Sequence, residues 1–151
     1  FLLELYLLNM IYVEEKWFSK QIDFLRFFLK QDEFETIIWM YPESKFSHLF
    51  GLSLEHEADL SGEPVTCYEN GQISSRTARQ PLTKELIDLA ENNRRNVSRN
   101  VDSFVIYKPG EFEWQACAIG HEGMCLVNNH ALMSKLEKAG FNASTEPPEH
   151  W

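Results

Sequence analysis

Cysteine, basic residues and recognisable catalytic spacing are all scarce in this chain. Its three cysteines among 151 residues, Cys67, Cys117 and Cys125, are an odd and sparse set that makes no disulfide framework. Reduced thiols are the simplest reading, with one bridge plus one free thiol as the alternative. The longest apolar run, Phe1 to Val13, is broken by Glu4 and Asn9 and falls short of the roughly 20 residues a membrane helix needs. It also has no basic start and no small-residue cleavage site, so it does not read as a signal peptide. Residues 1–9 are either a first element of the fold or an appended segment.

Basic residues number 14 against 23 acidic ones, a formal charge of −9. That balance repels phosphate backbones and anionic lipid surfaces, which argues against nucleic acid and membrane partners. It suits a basic partner. No phosphate-cradling loop is present, since Gly120-His-Glu-Gly123 is short and precedes a strand instead of a helix.

Aromatic residues are plentiful: 11 Phe, 5 Tyr and 4 Trp, enough to fill a core and to furnish contact surface. A chain of this length buries about 70% of its unfolded surface and needs no covalent staples. One domain over 1–151 is expected, with 146–151 as an extended tail after Pro147-Pro148.

Residues 14–30 read as a helix. Phe18, Ile22, Leu25 and Leu29 form one stripe, which Trp17, Phe24 and Phe28 widen. Strands are expected over 34–41 and 46–56, and a tight hairpin over 65–75 around Asn70-Gly71. A linker over 76–81 precedes a helix over 84–95 capped by Thr83. Residues 92–100, polar and basic, read as a loop. A three-stranded meander is expected over 103–127, turning at Lys108-Pro109-Gly110-Glu111 and at 120–123. A last helix over 130–139 is capped by Asn128 or Asn129 and ends at Gly140, and Phe141 to Thr145 is a short edge strand or extended tail. The expected fold is α+β, a mostly antiparallel sheet of about six to seven strands with three helices mainly on one face.

Charge is uneven along the chain. Residues 31–63 hold eight acids and one Lys, a net of −7. Glu55, Glu57, Asp59 and Glu63 fall within nine residues and are the candidate partner-binding residues, because clustered carboxylates speed association with a cationic surface. The plain alternative is a solvated face. His56, Glu57 and Asp59, or Cys117, His121, Glu122 and Cys125, have zinc-compatible side chains but no metal-site spacing. Cys117 and Cys125 more readily face each other across a hairpin, and a Cys117–His121 nucleophile lacks an orienting third group. No metal, no cofactor and no catalytic residue is therefore expected. Arg94, Arg95 and Arg99 form the one basic cluster. They read either as complement to a helix C-terminus or as an anion site. Asn96-Val-Ser98 and Asn142-Ala-Ser144 match the glycosylation pattern without a secretion signal to support it.

Two classes of function follow. One is a cytoplasmic, non-enzymatic protein-binding module. In size, acidity and composition it resembles, in character only, the bacterial immunity proteins that occlude a toxin or nuclease active site. In that case Trp or Tyr anchors would accompany the acids. The other is a small enzyme or ligand-binding domain whose site is dispersed in sequence.

Overall fold

The structure, a computed structural model, describes residues 10–41, 44, 47–57, 74–120 and 122–149, with the backbone alone at 56, 57 and 74. Among these residues the elements run β1 (Ile11–Glu14), α1 (Phe18–Leu29), β2 (Glu35–Met40), β3 (His48–Leu49), β4 (Leu52–Glu57), β5 (Ser74–Thr77) and β6 (Gln80–Pro81). Then follow α2 (Lys84–Asn92), α3 (Arg94–Asn100), β7 (Val101–Tyr107), β8 (Trp114–Ile119), β9 (Met124–Val127), a 3-10 turn (His130–Leu132), α4 (Met133–Lys138) and β10 (Ala143–Ser144). The strands join in the order β10-β1-β9-β8-β7-β2-β5-β4-β3, with β6 also on β2. Every pairing is antiparallel. The α+β class and the antiparallel sheet are as expected. The ten strands and four helices exceed the expected six to seven and three.

The extra elements have local causes. Ile11, Tyr12 and Val13 pair with Val127, Leu126 and Cys125, so β-branched and aromatic residues just before the expected helix form a strand that also takes in Glu14. The helix starts only at Phe18, and Glu14 and Glu15 are not in its first turn. The expected strand 46–56 is two strands joined by Phe50-Gly51, with φ of 54° and 79°. Two positive φ values make the hairpin turn of type I′. Phe50 accepts this uncommon backbone while its ring packs on the core. Residues 76–81, expected as linker, complete β5 and form β6. The Thr77 hydroxyl at the end of β5 accepts from the Ile38 amide at 3.1 Å, which satisfies a β2 amide between the β5 and β6 pairings. The Asn70-Gly71 hairpin lies outside the described residues.

Strand alternation sends the sheet's side chains into two apolar clusters. One face contributes Ile11, Val13, Ile38, Met40, Phe104, Ile106, Ala116, Ala118, Cys125 and Val127, and all the buried helical residues pack there. The other face holds Tyr12, Ile37, Trp39, Val105, Tyr107, Cys117, Ile119, Met124 and Leu126. β7 is consequently buried at all seven positions. On the helical face, Phe28 meets Phe24, Phe27 and Phe34 edge-on at 5.1, 5.4 and 5.3 Å between centroids, a geometry that adds about 0.5–1.5 kcal/mol per pair beyond burial. Trp17, expected on the same stripe, is instead 75% exposed.

Turn chemistry matches the sequence closely. The Thr83 hydroxyl accepts from the Leu86 amide at 3.1 Å, and the Asn129 carboxamide accepts from Ala131 at 3.1 Å. Gly140 takes φ 90° after α4. Pro109-Gly110 forms a type II turn, with Gly110 at φ 74° and the Glu111 amide donating to the Lys108 carbonyl at 3.1 Å. Arg79 clamps that turn. Its guanidinium lies 4.3 Å from the Tyr107 ring centre, pairs with Glu35 at 3.0 Å and donates to the Lys108 and Glu111 carbonyls. Glu35 also accepts from the Gly110 amide at 2.9 Å.

That amide, and then Arg79, hold the Glu35 carboxyl below its ordinary 4.5, against the opposing effect of burial. A folded value below the unfolded one means stability present above about pH 4.5 and lost as pH falls through the folded value. Glu35→Gln should therefore lower Tm at pH 7, with the gap from the parent closing towards pH 3, as thermal melts across pH would record. A variant gap that is constant with pH would remove Glu35 from that role. Phe28→Ala should cost about 3–5 kcal/mol in urea unfolding; a loss below 1 kcal/mol would contradict the ring cluster's part in the core.

Candidate functional site

With both sheet faces apolar, exposed charge collects at the sheet margins, in turns and on helices. Three surface features result.

The first is the β4 margin, where the described part of the sequence-predicted acidic run lies. Glu55 lies on β4, next to the edge strand β3, and stands opposite Arg76 across the β4–β5 ladder. The carboxylate is 58% exposed, and its 3.9 Å approach to Arg76 is long. A contact so open to water contributes about 0–1 kcal/mol and leaves the carboxylate largely to solvent. Arg76 itself sits over the Trp39 ring, 5.6 Å from its centre. The Glu57 backbone pairs with Ser74 at the end of β4. Asp59 and Glu63 lie outside the described residues. Among the described residues the exposed aromatics, Trp17 and Phe112, both 75% accessible, belong to the segment before α1 and to the β7–β8 loop. Neither is on β4.

The second is a cleft of about 450 Å³ at the opposite margin, beside β10. Its charged walls are Glu14, Glu146 and Glu149, with Pro147 and Pro148 completing one side. Among the described residues none of these three carboxylates has a cationic partner. Chain pairing holds the cleft in place: the Glu14 amide donates to the Asn142 carbonyl at 3.2 Å, and β1 pairs with β10. Sequence reasoning missed this site because its acids are 132 to 135 positions apart.

The third is an open groove of about 630 Å³ at the α2–α3 corner, lined by Asn92, Asn93, Arg94, Arg95, Asn96, Arg99 and Asn100. The expected loop is a helix, so the arginines are not a C-terminal complement to the preceding one. That helix ends at Asn92, and Arg94 and Arg95 open α3. Cations there oppose the helix dipole at about 0.3–1 kcal/mol each, and Arg95 and Arg99 repel at i,i+4 spacing by about 0.2–0.5 kcal/mol. Arg94 lies over the Phe18 ring, 5.7 Å from its centre. Between this groove and the sheet is a smaller cavity of about 120 Å³, walled by Lys16, Gln21, Ser98 and the buried Asp102 among apolar neighbours. It is below the roughly 300 Å³ at which small-molecule sites begin.

The thiol alternatives are corrected by the register. Cys117 stands opposite Leu126, and Cys125 opposite Ala118. The two side chains therefore enter different clusters on opposite faces and do not face each other across the hairpin. They cannot share a metal or a bridge. Burial pushes the Cys125 thiol well above its ordinary 9.0, with the nearby Cys117 and Glu15 adding to the rise. Among the described residues no three potential metal ligands cluster. His121, Asp59 and the His56 side chain lie outside the description.

No family model, curated protein or solved structure matches the chain. No helix among the described residues is long and apolar enough to cross a membrane.

Cys117 and Cys125 should resist alkylation under native conditions and react only on unfolding, as mass spectrometry after brief iodoacetamide exposure would show. Rapid native modification at either position would contradict the assigned burial.

Proposed function

We propose that this chain is a small acidic protein-binding module, an immunity- or inhibitor-type protein that neutralises a toxin or nuclease domain by occluding its cationic active site. The observation that carries this reading is the open Glu55 carboxylate on β4, at the start of the acidic run that continues to Glu63. Further support comes from the open cleft beside β10, walled by Glu14, Glu146 and Glu149. An open cleft of this kind suits a protein partner better than an enclosed substrate.

The mechanism is electrostatic capture followed by steric block. Carboxylates at the margin attract a cationic cleft over long range and raise the association rate. The rigid sheet behind them presents the margin without reorganisation, which limits the entropy lost on docking. The competing reading is a small enzyme or ligand-binding domain whose site is dispersed in sequence. It predicts a small molecule that protects the protein thermally.

A direct test pairs the chain with the proteins encoded by its neighbouring reading frames, a cationic toxin or nuclease domain being expected among them. Titration calorimetry and stopped-flow association should show binding that weakens with salt. Glu55→Gln/Glu57→Gln/Asp59→Asn/Glu63→Gln should slow association at least tenfold at low salt while leaving Tm within a few degrees. Binding indifferent to the four substitutions, or no binding alongside a small-molecule thermal shift, would remove this function.

A further inference from the structure

We propose that the α2–α3 corner is a binding site for a small phosphorylated ligand, separate from the acidic margin. The groove is walled by three guanidiniums and four carboxamides, with no carboxylate and no apolar side chain. Guanidiniums offer forked donors that match phosphate oxygens, and carboxamides add neutral donors. The three arginines also stand apart from the rest. Arg26 is held by Asp88 at 2.8 Å and Glu91 at 2.9 Å, and Arg79 by Glu35 at 3.0 Å. Arg94, Arg95 and Arg99 have no acidic partner among the described residues, in a chain of net charge −9. Arg99 lies in the last turn of α3, where a cation is favoured, but Arg94 and Arg95 open the helix against its dipole, and of these two only Arg94 is offset, by the Phe18 ring. Residues that break a local rule without structural return mark functional positions.

The groove is also partly organised. Phe18 beneath Arg94 restricts that guanidinium. The Asn100 amide donates to the Asn96 carboxamide oxygen at 2.7 Å and to its carbonyl at 2.9 Å, which leaves the Asn96 amide protons free to donate outward. Size narrows the ligand, because about 630 Å³ is within the range of small-molecule sites. A polyanion would meet the repulsion of the remaining surface along its length. A single phosphate group feels mainly charges within a Debye length of about 10 Å. An acidic peptide would find no apolar anchor in these walls.

The test is an NMR titration of the full chain with inorganic phosphate, adenosine monophosphate and acetate at matched ionic strength, following backbone, Arg Nε–H and Asn side-chain signals. Saturable shifts confined to residues 92–100, with either phosphate compound at least tenfold tighter than acetate, support the site. A nucleotide tighter than inorganic phosphate adds a contact to the rest of the ligand. Arg95→Gln/Arg99→Gln should weaken phosphate at least fivefold, and Arg95→Lys/Arg99→Lys should retain most of it. Because the Gln pair relieves like-charge repulsion on α3, Tm should hold or rise, so lost binding would not reflect unfolding. Non-saturating shifts, equal response to acetate and phosphate, or a twelve-nucleotide single strand binding tighter than the mononucleotide would overturn the proposal.

Discussion

β7 is buried along its whole length because alternate residues enter two different apolar clusters: Phe104 and Ile106 join the helices, while Val105 and Tyr107 face away. An antiparallel sheet with one wet face would leave one of these sets to solvent. Here neither sheet face is available to display charge. Among the described residues, exposed charged groups lie at margins, in turns and on helix surfaces.

The arginines divide accordingly. Arg79 and Arg76 stack on Tyr107 and Trp39 and face Glu35 and Glu55, so each is tied to the sheet. Arg26 ties α1 to α2 through Asp88 and Glu91. Among the described residues three exposed patches carry one sign each: Glu55 on β4, Glu14, Glu146 and Glu149 at the β10 cleft, and the arginines at the α2–α3 corner. The edge strands β3 and β10 are only two residues long. Strands that short offer little backbone for another chain to extend.

Much of this architecture was legible wherever local chemistry decides structure. Thr83, Pro109-Gly110, Asn129 and Gly140 each mark a boundary through a hydrogen bond or a backbone angle that few other residues favour. The meander over 103–127 was legible because tight turns enforce neighbour pairing. The misses share a different cause. Ile11–Glu14 is a strand only because β9 and β10 flank it, a pairing more than 100 positions away. Phe50-Gly51 lacks the Asn-Gly signature of its turn, and β5 and β6 are too short to show periodicity. Residues 94–100 look like a loop because Val97 alone is buried. Of the candidate site, Glu55 was found by composition. The Glu14, Glu146 and Glu149 cleft is invisible in one dimension, because folding alone brings its walls together.

The account's central claim is that the β4 margin and the β10 cleft present negative charge and the α2–α3 corner positive charge, around a sheet whose faces are apolar. Paramagnetic relaxation of amide protons by cationic and anionic nitroxide cosolutes measures the near-surface potential residue by residue. The account predicts preferential cation approach at residues 53–57 and 146–149 and preferential anion approach at residues 92–100. A uniformly negative potential over all three regions would contradict it.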